Sequence, residues 1–189
     1  MEATSSTEAF AAAQRKPGIA AIVSAEHGTA DNLLAEFARH LRRGGWRVRG
    51  VIQDHTPAEN NAERQKILVD LDGDTRFVIS QRLGQGSVAC NLDPGGVAAA
   101  SVVLRRCLTE GADLVIANRF GELEAGGGGF AAEMLALMAK EVPLLTVVAD
   151  KYLDDWRRFT GGSAAELPAR REALEIWFSS LFLAAQGAD

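Results

Sequence analysis

Asn118 and Arg119 end a short apolar run, Leu114–Ala117, and Gly121, Glu122, Glu124 and the four glycines Gly126–Gly129 follow directly. A guanidinium beside a carboxamide can hold an oxyanion or a phosphate through charge-assisted hydrogen bonds. Arg119 has a competing use, a salt bridge to Glu122 or Glu124. The glycines, Gly126 and Gly127 first among them, read either as a nest of backbone amides at a helix start or as a hinge. A second polar stretch runs through Ser80, Gln81, Arg82, Gly84, Gly86 and Ser87. It can present amides and a guanidinium, or serve as an ordinary connection. A third, His27-Gly28-Thr29-Ala30-Asp31, lies between an apolar run and a helical pattern. His27 is there either a ligand or proton-transfer group or a loop histidine without a role. Asp31 reads as an acid in a first helical turn with Thr29 as N-cap.

These groups need a frame, and the chain supplies one. Ile19–Ser24 is a short apolar, β-branched run, a first buried strand. Leu33, Leu34, Phe37, Ala38 and Leu41 recur at helical spacing until Gly44-Gly45. Val48–Gln53 is a second strand, and the polar segment Asp54–Gln65 a loop. Ile67–Leu71 and Arg76–Ser80 are strand-like runs about Asp72-Gly73-Asp74, a hairpin signal. After the loop Gln81–Pro94, a helix carries Val97, Ala100, Leu104, Cys107 and Leu108. The strand Leu114–Ala117, a helix with Phe130, Met134, Leu137 and Met138, and a strand at Pro143–Ala149 complete the regular part. Beyond Asp150 the pattern is mixed: a short helix at Tyr152–Phe159, a break at Gly161-Gly162, and a terminal amphipathic helix with Leu174, Trp177, Phe178, Leu181 and Ala185. Its Trp177/Phe178 face suits core packing or a partner groove. Strands alternating with helices predict an α/β domain whose mainly parallel sheet carries one antiparallel hairpin and is flanked by helices. Ligands in such sheets bind beyond the carboxyl ends of the strands.

Composition narrows the function classes. The 189 residues fit one domain over 18–189 with a disordered tail at 1–17, and 47% hydrophobic residues suffice for a core. A net charge of -5, with dispersed Lys and Arg, argues against nucleic acid as a partner. Cys90 and Cys107 form no CxxC pair, and His27, His40 and His55 have no metal-ligand spacing, so no metal site is expected. With neither a signal peptide nor an apolar run of about 20 residues, the expectation is a cytoplasmic protein without membrane insertion.

The pattern GxxxxGK[ST] can be laid on Ser24 to Asp31, but Ala30 takes the lysine position and Asp31 the hydroxyl position. VDLDGD (Val69–Asp74) and ADLVIANRFGELE nonetheless resemble segments of the small P-loop nucleoside-triphosphatase family first described from thermophiles. There, an Asp-Glu pair stands where Asn118 and Arg119 stand here, while Gly121 and Glu124 match. ISQRLGQG (Ile79–Gly86), Cys90–Pro94 and NRFGELEAGGGG resemble more closely a bacterial domain-of-unknown-function family, numbered 2478, over roughly Gly18 to Trp177. Members are often encoded beside molybdate-uptake genes.

The resemblance implies a P-loop-like fold and an accessory role in molybdenum uptake or handling. It also implies that the strands ending at Ser24 and Asn118 lie side by side. His27, Gly28, Thr29, Ala30, Asn118 and Arg119 would then share one crevice, with the Gln81–Ser87 loop and the glycines after Glu124 as its walls. Hydrolysis needs a lysine, a hydroxyl on Mg²⁺ and an acid, so the substitutions favour binding an anion or nucleotide over turnover. Neither a nucleotide nor an oxyanion is fixed as cofactor. The rivals are an active nucleoside-triphosphatase or phosphotransferase using Arg119, Arg82 and Glu124, and a protein-interaction module paired with a second copy or a transporter. A strand-end Arg119 is expected to face solvent, so that Arg119→Glu abolishes binding and spares the fold.

Overall fold

The computed structural model describes residues 18–25, 28–54, 66–80 and 92–183. The 1–17 tail, His27, Gln81, Arg82, Gly86 and Ser87 lie outside them, as does Cys90. Seven strands form one sheet: β1 (Ile19–Ser24), β2 (Val48–Asp54), β3 (Ile67–Asp70), β4 (Arg76–Val78), β5 (Leu114–Ala117), β6 (Leu144–Ala149) and β7 (Ala165–Pro168). Their order across the sheet is β4-β3-β2-β5-β6-β1-β7. β1 pairs in parallel with β6 and β7, and β5 in parallel with β2 and β6. β3 runs antiparallel to both β2 and β4. The expected mainly parallel sheet with an antiparallel hairpin is therefore present.

Helices cover both faces, which explains why every residue of β5 is buried. α1 (Thr29–Arg43) and α6 (Arg171–Leu183) close one side, where Ile22, Leu34, Phe37, Ile116, Leu145, Trp177 and Phe178 form a core. The Trp177/Phe178 face is thus packed inward; the Phe37 and Phe178 rings meet edge to face at 6.2 Å. α2 (Pro94–Glu110), α4 (Ala131–Ala139) and α5 (Leu153–Phe159) close the other side, over Leu104, Val115, Met134, Leu144 and Trp156. α3 (Glu122–Ala125) is a single turn between β5 and α4. Asp93 starts α2 by accepting from the Gly95 and Gly96 amides at 3.0 and 3.2 Å, with Pro94 in the first helical turn. Cys107 is buried on α2, its Sγ donating to the Val103 carbonyl, and burial pushes its thiol up to about 11.

Two features depart from the sequence expectation. β6 lies between β1 and β5, so the strands ending at Ser24 and Asn118 are not neighbours. β6, buried from Leu144 to Val148 and apolar there except for Thr146, takes the central position. β7 is a strand where the pattern was mixed. It is a short edge strand, and edges tolerate the polar Glu166 and the terminal Pro168.

Candidate functional site

β5 runs one residue past its named end. The Asn118 amide donates to the Val51 carbonyl of β2 at 3.3 Å, so the ladder continues to it. Along β5, Leu114 and Ile116 pack on the α1 side and Val115 and Ala117 on the other. Period-two alternation therefore sends the Asn118 side chain toward α1. That side chain is 1% exposed, and among the described residues neither its Oδ1 nor its Nδ2 has a hydrogen-bond partner. Burying an amide without partners is costly, and among the described residues Asn118 is left unanswered on both atoms.

Arg119 follows through a cis peptide. Its Nη2 donates to Asp31 Oδ2 at 2.8 Å, across 88 residues of sequence, while among the described residues its buried Nε has no partner. The carboxylate of Asp31 is 1% exposed and the Arg119 side chain 24%. The partner of Arg119 is thus Asp31, not Glu122 or Glu124, and the expectation of a solvent-facing arginine is corrected. β6 steadies this turn: Thr146 Oγ1 donates to the Ala117 carbonyl at 2.6 Å and accepts from the Phe120 amide at 3.1 Å. Thr146 escaped the sequence reading; its only signal is a lone hydroxyl inside the apolar run LLTVVA.

On the α1 side, Gly28 is the N-cap, at φ 92, a conformation that side chains rarely adopt. Thr29 is consequently the first helical residue and not the cap, a second correction. Gly28 has no side chain to cap this helix start, and the first regular bond joins the Asn32 amide to the Gly28 carbonyl at 3.0 Å. Ala30 is fully buried. Asp31 lies in the first turn, where the helix dipole favours a negative charge.

Glu124, which the family resemblance marked, bonds two backbone amides. Its Oε2 accepts from the Gly121 amide and its Oε1 from the Phe130 amide, each at 3.0 Å. It is 6% exposed, and desolvation raises its carboxyl above the ordinary value although the amides of Phe130 and Gly121 oppose this. A Cβ at Gly129 would lie 2.0 Å from Oε1, and Gly129 has φ 55, so only glycine fits. The amides of Gly126, Gly127 and Gly128 close onto the carbonyls of Glu122, Glu124 and Leu123 at 3.1, 3.0 and 2.7 Å. The glycine run is therefore not an open amide nest; its amides finish α3.

Ser80 leaves β4 at the same carboxyl edge, but three strands from β5, about 14 Å at the usual strand spacing. Its Oγ accepts from the Lys66 amide at 3.2 Å. The structure thus joins Gly28, Thr29, Ala30 and Asp31 to Asn118 and Arg119, sets Gly121 and Glu124 beside them as scaffold, and holds Ser80 apart. Among the described residues no three His, Cys, Asp or Glu side chains gather as a metal site, and no helix is long and apolar enough to cross a membrane.

An open, mainly parallel sheet between two helical layers is an α/β fold of the kind found in P-loop nucleoside triphosphatases. The solution structure of a human cancer-related nucleoside triphosphatase has a TM-score of 0.60 with this chain at 14% identity, over 90% of this chain and 99% of that one. That likeness is one of fold. The chain belongs to the DUF2478 family, described as proteins of unknown function, whose model matches residues 19–177. It is also 34% identical over 160 residues to the molybdenum import ATP-binding protein ModC 2 of Bradyrhizobium diazoefficiens. That match covers 85% of this chain and 18% of the relative, so the chain spans less than a fifth of that protein's length.

Proposed function

We propose that this protein binds an oxyanion or a nucleotide through its phosphate at the carboxyl edge of β5 and the start of α1, without efficient hydrolysis, in support of molybdenum import. One observation carries the reading: the fully buried Asn118 amide, unanswered on both polar atoms, beside the partly exposed Arg119. Helix starts favour anions, and the fold of the human nucleoside triphosphatase and the name of the ModC 2 relative support a phosphate-bearing ligand. The same name supports the link to molybdenum import.

The absence of turnover follows from side-chain chemistry. Ala30 has no ammonium for the terminal phosphates, and Asn118 with Arg119 offers no acidic pair for Mg²⁺. Asp31 has a carboxylate in place of a metal-binding hydroxyl, and its charge is engaged by Arg119. The proposed site residues are Gly28, Thr29, Ala30, Asn118 and Arg119. His27, Gln81, Arg82, Gly86 and Ser87 keep only their sequence-based candidacy.

A thermal-shift panel of phosphate, sulfate, molybdate, tungstate, ADP, ATP and GTP, each with and without Mg²⁺, tests the reading. A saturating ligand raises stability by about 2.7 kcal/mol at a hundred times its Kd. At least one member should do so without needing Mg²⁺. Mg-dependent ATP or GTP turnover that vanishes in the double variant Asp31→Asn/Arg119→Gln would replace binding by catalysis. That variant removes both charges and strands neither.

A further inference from the structure

We infer that the site at Asn118 selects an oxyanion that still carries a proton, a phosphate or phosphate ester, over one that carries none. The inference rests on the reading of this crevice as an anion site and concerns which anion it takes. Two properties of the site set the choice. The first is charge: Arg119 and Asp31 are bonded at 2.8 Å, so the arginine that follows Asn118 is already matched by a buried carboxylate. The second is hydrogen-bond polarity. Asn118 brings two N–H donors and one acceptor oxygen into a place without solvent, and Arg119 adds one Nε donor. Because both ends of the carboxamide lack partners, either orientation of the amide leaves a donor and an acceptor to be met.

Sulfate, molybdate and tungstate are fully deprotonated near neutral pH and only accept hydrogen bonds. Such an ion would satisfy Asn118 Nδ2 and Arg119 Nε. It would leave Asn118 Oδ1 facing an oxygen, lone pair against lone pair, with the carboxylate of Asp31 close by. Inorganic phosphate keeps at least one O–H through neutral pH. A phosphate ester loses its last proton with a pKa near about 6 and can enter protonated. Its O–H donates to Asn118 Oδ1 while its remaining oxygens accept from Asn118 Nδ2 and Arg119 Nε. Both polar atoms of Asn118 and Arg119 Nε are then answered. A ligand that strands a buried acceptor loses about tenfold or more in affinity. On this reading the protein reports phosphate or nucleotide, and the imported oxyanion is not its ligand.

Titration calorimetry of the full chain at pH 6.5 without Mg²⁺ tests this, with phosphate, sulfate, molybdate, ADP and adenosine as separate titrants. The expected result is a phosphate affinity at least about tenfold above those of sulfate and molybdate. ADP tighter than phosphate, with adenosine silent, would name a phosphate ester as the source, and phosphate alone would name the free ion. In Asn118→Leu the phosphate-to-sulfate ratio should fall toward one; the wild-type ratio stands as a test even if that variant fails to fold. Sulfate or molybdate binding as tightly as phosphate overturns the inference and leaves the anion site standing, as does a ratio that Asn118→Leu leaves unchanged. Adenosine binding as tightly as ADP, or no binding by any member, overturns both the inference and the proposed site.

Discussion

The two edges of the sheet place arginines against carboxylates in opposite ways. At the amino edge, where the β3–β4 hairpin turns, Asp70 is 2% exposed and accepts from Arg106 Nη2 at 3.1 and 2.9 Å and from the Asp72 amide at 2.9 Å. Arg42 and Arg49 reach Asp72 at 3.1 and 3.3 Å, and Arg49 also bonds Glu110. Three cations from α1, β2 and α2 thus face three carboxylates. At the carboxyl edge, Arg119 and Asp31 form a similar pair, yet Arg119 Nε and both polar atoms of Asn118 stay unanswered. A saturated network locks elements together, whereas buried polar atoms without partners cost stability and are kept where a ligand supplies the partner. The VDLDGD motif is therefore a structural clasp, and NRF holds the unpartnered groups on which the proposed site rests.

Substitutions can break that contrast, and the largest effect is expected at Arg119. Arg119→Glu sets a second carboxylate against the buried Asp31 and should cost about 3–5 kcal/mol in urea unfolding. Wild-type stability for this variant would show that the pair is not a buried one. Asp70→Ala should cost less, about 2 kcal/mol, because the more exposed Arg106 can rehydrate. It should also leave ligand affinity unchanged; a weakened ligand would couple the two edges and end the division of labour drawn between them.

Asn118→Leu sharpens the contrast because its sign reverses. Removing two unpartnered buried atoms should keep stability or raise it by about 1 kcal/mol, while the affinity for phosphate falls toward that for sulfate. A clear loss of stability would mean that the amide has a structural partner. The smallest effect belongs to Glu124. Burial raises its folded-state carboxyl above the ordinary 4.5. Its contribution is thus complete below about 4.5 and declines as pH rises through the folded value. Glu124→Gln should flatten that decline while losing one amide acceptor, a net change within about 1 kcal/mol. A wild-type chain whose stability rises across the same pH window relative to Glu124→Gln would reverse the assignment.

The sequence by itself determined the fold class and most of the elements, though not β7 or the single turn α3. The apolar runs Ile19–Ser24 and Leu114–Ala117, the helical spacing of Leu34, Phe37 and Leu41, and the Asp72-Gly73 turn all stand where their local patterns put them, because each depends on neighbours a few residues away. It also marked Asn118 and Arg119 as the polar stop of a buried strand. Only the tertiary structure decided that β6 separates β1 from β5, that Arg119 chooses Asp31 over the nearer Glu122 and Glu124, and that Glu124 spends both oxygens on the Gly121 and Phe130 amides. Those outcomes depend on strand order and on which surfaces face each other after packing. A carboxylate reads the same in sequence whether it caps a turn, clasps an arginine or meets a ligand, and its surroundings in the fold select among the three.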